Sequence, residues 1–156
     1  MRLGIKDKAF VVQNTMDQSV LPFVSDIDVS EQNVKDGVAH VLTAPDWIVL
    51  SPNKYSLFFF QQRNSILWET HYQITKAGRG LSHDAGKKAF TWMFENTGCL
   101  KIVGYTSIKK AVTFAMDLGF KIEGKLKGAW LKAGILHDLT IIGLKRGDLC
   151  LGCQQQ

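Results

Sequence analysis

The sequence predicts an α/β fold of the α+β kind: a mixed sheet in which mostly antiparallel amino-terminal strands lead into a parallel strand–helix–strand unit. Three observations carry that expectation. Apolar runs at 47–50, 55–62 and 66–74 are separated only by Ser51-Pro52-Asn53 and Arg63-Asn64-Ser65, the spacing of an antiparallel meander. The third run, rich in aromatic and β-branched residues, leads into Lys76-Ala77-Gly78-Arg79-Gly80, where two glycines open a helix. Two stretches at helical spacing then alternate with strand-like runs.

Taken in order, Lys8-Ala9-Phe10-Val11-Val12-Gln13 reads as a first strand. Residues 17–25 form a short helix that Pro22 ends or kinks, and Ser30 is the N-cap of a helix running to Leu42 with Val34, Val38, Val41 and Leu42 inward. After the meander, residues 82–96 make a helix with Ala85, Ala89, Phe90, Met93 and Phe94 on its apolar side, and Gly98 supplies a left-handed cap. Residues 101–106 make a strand. Ile108, Ala111, Val112, Ala115 and Leu118 recur at helical spacing until Gly119 closes that helix and Phe120 begins another strand, with a last strand around His137-Asp138.

The Gly-Arg-Gly turn suits an anion. A helix start leaves N–H groups without internal partners, the dipole there is positive, and Lys76, Arg79, Lys87 and Lys88 lie within a turn or two. On the glycines alone, the turn reads equally well as a diphosphate cradle or as a tight connection with solvated basic residues.

The order that follows resembles the GNAT superfamily of N-acetyltransferases over about half the chain. The acyl-CoA loop of that family, Arg or Gln, two variable residues, Gly, one variable residue and Gly or Ala, is matched from Ala77 through Gly80 to Ser82. The following family helix begins with Asn, carries Tyr seven residues on and ends Leu-Gly-Phe; here that frame begins at Ile108, reaches Ala115 and ends Leu118-Gly119-Phe120. Phe120-Lys121-Ile122-Glu123-Gly124 and Gly134-x-x-His137-Asp138 look like the closing strands of the ribosomal-protein-acetylating branch. The resemblance implies a GNAT-like fold, acetyl-CoA as co-substrate and transfer of an acetyl group to a primary amine of a small molecule or protein. It also implies acyl-CoA contacts from Trp68, Thr70 and Tyr72 on the strand, from Arg79, Gly80, Leu81, Ser82, His83 and Asp84 at the loop, and from Lys109 on the second helix. Where the family protonates the departing thiolate with a Tyr, Ala115 has no proton to give, which leaves Tyr105, Tyr72 or water.

Glu69 and His71 project from one face of the strand that precedes the loop, suited to taking a proton from the attacking ammonium; a hydrogen-bonded structural pair is the equal alternative. Ser82-His83-Asp84 spells a triad in print, but adjacent residues at a helix start point to different sides. Trp68-Glu69-Thr70-His71, Trp92-Met93-Phe94-Glu95-Asn96 and the 120–124 run also resemble, more loosely, GNAT-like head-assembly proteins of tailed bacteriophages. That likeness implies a second reading, an assembly or virion-associated protein without transfer activity.

With 156 residues, 46% of them hydrophobic, the chain buries an ordinary core without disulfides, and no linker or repeat divides it. The expectation is one domain over 1–147 and a flexible tail over 148–156. No apolar run approaches the roughly 20 residues of a membrane span, and the first residues lack a signal core, so the expected location is the cytoplasm, or the host cytoplasm or virion for a phage protein. Three cysteines do not make a disulfide framework, and Cys150-Leu-Gly-Cys153 reads as a reduced tail rather than a metal site. The net charge of +5 is spread among acidic residues with no nucleic-acid motif, so nucleic acid is not an expected partner; a homodimer or virion proteins stay open. Lys109 and Lys110 face the CoA 3′-phosphate or are solvated surface.

Overall fold

The computed structural model describes residues 1–24 and 30–149. Cys150 and Cys153 lie outside them. The chain runs α1 (Lys8–Thr15), α2 (Leu21–Val24), α3 (Glu31–Thr43), β1 (Trp47–Asn53), β2 (Ser56–Gln62), β3 (Leu67–Ile74), a 3₁₀ turn (Lys76–Leu81), α4 (Ser82–Asn96), β4 (Lys101–Thr106), α5 (Lys109–Asp117), β5 (Lys121–Lys132) and β6 (Ile135–Lys145). One sheet has the order β1-β2-β3-β4-β6-β5. Only β3 and β4 are parallel, as two strands joined by a crossover helix must be; every other pair is antiparallel.

Period-2 alternation sends the two sides of each strand into different cores. Phe58, Phe60, Trp68, Ile102 and Leu144 pack beneath α4 and α5 with Ala89, Phe90, Met93 and Leu118. Val49, Leu57 and Phe59 pack on the other face against Val11 and Val12 of α1 and Val34 and Val38 of α3. The meander follows from its turns: Asn64 Oδ1 accepts from the Ile66 and Leu67 N–H groups at 3.0 and 2.9 Å. The Ser30 hydroxyl caps α3 by accepting from Asn33 N–H at 3.1 Å. Gly119, at φ 100°, ends α5, and Ala133-Gly134, both with positive φ, turn β5 into β6.

Four expectations are corrected. Residues 8–13 are helical, not a strand: Gly4 N–H donates to the Asp7 carboxylate at 2.9 Å, and Val11 and Val12 are both buried against α3 and the sheet. The first strand is reduced to a single bridge between Arg2 and Leu50, so the amino-terminal helices follow a bridge. Residues 18–20 are turn, with Asp17 accepting from Ser19 N–H at 2.8 Å; the short helix starts at Leu21, so Pro22 falls in its first turn, where no N–H is needed, while Ser25 lies outside the described residues. At the end of α4, Thr97 leaves the helix extended and donates its hydroxyl to the Met93 carbonyl at 2.6 Å, so Gly98 makes no left-handed cap. In addition, β1 continues through Ser51-Pro52-Asn53 across a bulge, and the chain reverses one step later.

Candidate functional site

The parallel pairing of β3 with β4 covers only Leu67 with Lys101, Trp68 with Ile102 and Glu69 with Val103. Beyond it β3 continues against β2 and β4 against β6, but not against each other, so the sheet opens in a fork. A cleft of about 630 Å³ passes through this fork, with Ile108, which precedes α5, and Ala111 of α5 on one side of the sheet and Val34, Val38 and Val41 of α3 on the other. Thr70 and Gly104 stand at the fork itself. A Cβ at position 104 would come 3.3 Å from Ile142 and 3.6 Å from Thr70, so the glycine keeps the passage open. Among the described residues the buried Thr70 hydroxyl has no hydrogen-bond partner, an orphan donor and acceptor at the passage.

His71 lines the cleft on the α3 face, its Nε2 3.0 Å from Glu69 Oε1 and its ring stacked on Trp47 at 6.4 Å. Glu69 is nearly buried and accepts from Arg63 Nε at 2.8 Å. It therefore holds His71 but does not line the cleft. Tyr105 opens onto the same cleft, 39% exposed. Tyr72 crosses to α5, where its hydroxyl donates to the Ala111 carbonyl at 3.0 Å; burial pushes this phenol well above its ordinary pKa, and a proton so held serves structure. Trp68 belongs to the core before the fork and does not line the cleft.

The loop residues sit apart from the cleft. Arg79, Gly80 and Leu81 wind into the 3₁₀ turn that runs directly into α4. Gly78 N–H donates to the Thr75 carbonyl at 2.9 Å and the Ser82 N–H to the Arg79 carbonyl, so these amides are turned inward. Ser82, His83 and Asp84 go three ways: the Ser82 hydroxyl to the Arg79 carbonyl, His83 Nε2 to Asp117 at 3.1 Å, and Asp84 to Lys88 at 2.8 Å. They form no triad. Lys109 heads α5 on the exposed surface. Among the described residues no group of three His, Cys, Asp or Glu side chains gathers as a metal site, and no helix is long and apolar enough to cross a membrane.

Compared with solved structures, the chain superposes on spermidine N-acetyltransferase of Vibrio cholerae in complex with CoA and spermine, with TM-score 0.75 over 95% of both chains at 16% identity. It superposes on the ribosomal-protein-S5-alanine acetyltransferase of Vibrio fischeri with TM-score 0.75, covering 96% of this chain and 93% of that one at 14% identity. A putative phosphinothricin N-acetyltransferase gives 0.73 at 15% identity, over 93% and 96%. The fold is that of the GNAT acetyltransferases. No protein-family model matches the chain, and no curated protein matches it by sequence.

The two positions of the α5 frame part company in the fold. Ala115 is 1% exposed in the core and does not line the cleft, whereas Ile108 does. Several cleft residues escaped the sequence reading. Trp47 and Phe59 were legible in principle, because Phe59 pairs with His71 and shares its face. Phe23 and Trp130 come from distant segments with no motif to mark them.

Proposed function

We propose that the protein is an acetyl-CoA-dependent N-acetyltransferase in which the amine attacks the thioester directly. The observation that carries this reading is the fork between β3 and β4, whose cleft joins the α5 side to the α3 side past the orphan Thr70 hydroxyl. A narrow arm bearing a thioester fits such a passage, and the Vibrio cholerae neighbour, solved with CoA, supports the choice of carrier. The diphosphate would lie at the start of α4 with Lys76, Arg79 and Lys109 as countercharges, after the wound turn loosens.

In this reading the amine nitrogen bonds to the carbonyl carbon and the carbon–sulfur bond breaks. Glu69 accepts from His71 Nε2, which leaves the Nδ1 lone pair to take the proton of the attacking amine. Glu69 acts through His71, as a positioning residue. Strand amides on the fork edge of β3 stabilise the oxyanion, and Tyr105 returns a proton to the thiolate. His71→Gln is expected to lower transfer by about 10²–10⁴-fold at unchanged acetyl-CoA affinity, measured by thiol release and calorimetry. No binding heat at millimolar acetyl-CoA would sink the reading.

A second reading has its own support: an assembly or virion-associated protein with transfer lost. The buried Ala115 and the inward-turned loop amides favour it. Absence of acetyl-CoA binding together with copurification of capsid or portal proteins would establish it over the first.

A further inference from the structure

The part of the cleft that opens on the α3 face is built from aromatic rings. Trp47, Phe59, Tyr105 and Trp130 line it with Phe23 of α2, and none of the described residues lining the cleft is an Asp, Glu, Lys or Arg. Strand alternation brings them together: Tyr105 pairs with Ile141, and Trp130 with His137, on the face opposite the α4 core. One cation stands at the rim. Lys132 donates to the Pro22 carbonyl and stands 5.3 Å from the Trp130 ring centroid and 5.6 Å from that of Phe23.

We infer that the acceptor is a monoamine carried on an apolar, aromatic body rather than a polyamine; this rests on the acyl-transfer reading of the same cleft. A polyamine brings several ammonium groups. Each loses hydration on entering, no described carboxylate in the lining receives it, and cation–π contacts restore only part of the loss. Two of the aromatic faces at the rim are already occupied by the Lys132 ammonium, which repels a second cation. An aromatic body replaces that cost with ring contacts on Trp47 and Phe59, and Trp47 stacks on His71, so a short linker brings the amine to the base. Apolar surroundings also favour the neutral amine, which is the nucleophile.

Phenethylamine and spermidine serve as probes, followed by thiol release with acetyl-CoA and by calorimetry on the full chain. Phenethylamine is expected to show kcat/KM at least about tenfold above spermidine, a margin of one well-placed aromatic contact. Trp130→Ala, on an outer hairpin, is expected to weaken phenethylamine about tenfold with an unchanged melting temperature. Lys132→Glu, a surface change, is expected to narrow the preference by about the same factor. Equal or better use of spermidine overturns the inference. So does acetyl-CoA binding without binding or acetylation of phenethylamine, an outcome that leaves acyl transfer standing. Saturable phenethylamine binding that is weakened by Trp130→Ala, in a protein that fails to bind acetyl-CoA, upholds the aromatic site and removes the transfer reading instead.

Discussion

At position 115 a methyl group stands where the resembled family carries a phenol, enclosed in the core with Leu118 and Phe120. Ala115→Tyr should overpack that site and cost about 1–3 kcal/mol, read as a lower denaturant midpoint, with no gain in single-turnover transfer. A faster transfer in a stable variant would mean that the helix turns this position to the cleft. The two loop glycines separate by the same logic. A Cβ at Gly80 meets nothing within 4 Å, so Gly80→Val should fold and, if the diphosphate rests there, bind acetyl-CoA more weakly. A Cβ at Gly78 would overlap Tyr55, so Gly78 serves packing. Cys99 is fully buried, and burial pushes its thiol from 9.0 up to about 11. The unfolded chain then ionises first as pH rises, so this thiol's contribution to stability is complete below about pH 9 and is lost by about pH 11. Cys99→Ser should flatten that part of the stability–pH curve; an unchanged slope would show that the thiol does not contribute.

Among the elements, those with a strong period or a chemical stop were legible. Residues 82–96 and 101–106 were placed to the residue, because the apolar face of α4 repeats at helical spacing and β4 is a compact β-branched run. Helix α1 was not, since Phe10-Val11-Val12 has strand composition and no helical stripe; burial between α3 and the sheet overrides propensity there. The candidate site divides in the same way. Strand alternation put Glu69 and His71 on one face, and of the two only His71 lines the cleft; Tyr105, named as a substitute acid, lines it too, but the cleft itself depends on where β3 and β4 part, which no local pattern specifies. The α4–α5 contact is equally non-local. At Gly86 a Cβ would stand 2.5 Å from Leu118 Cδ1 and 3.2 Å from the Phe114 ring. Gly86→Ala should force the helices apart and lower the melting temperature despite the better helix propensity of alanine. A higher melting temperature would show that the contact yields freely.

Across the whole molecule, the sheet is two three-stranded halves, β1-β2-β3 and β4-β6-β5, joined at one end by three parallel residue pairs. The α4 core spans both halves, with Phe60 on one side and Leu144 on the other, which holds the base of the fork shut. On the α3 face the core of described residues draws on the first half, and among the described residues nothing comparable ties the open end. Strands that lack a neighbour leave backbone N–H groups along the fork without ladder partners, and these should open to solvent at low cost. A ligand threaded between the halves contacts both and adds its binding energy to the folded state. Saturating acetyl-CoA should therefore slow hydrogen exchange on both margins together, at residues 70–73 of β3 and 104–106 of β4, and raise the melting temperature. Protection confined to the start of α4 would place the cofactor on the loop without threading the sheet. Protection at neither margin, with no thermal shift, would mean that the fork is a feature of the fold that this chain does not use for acyl transfer.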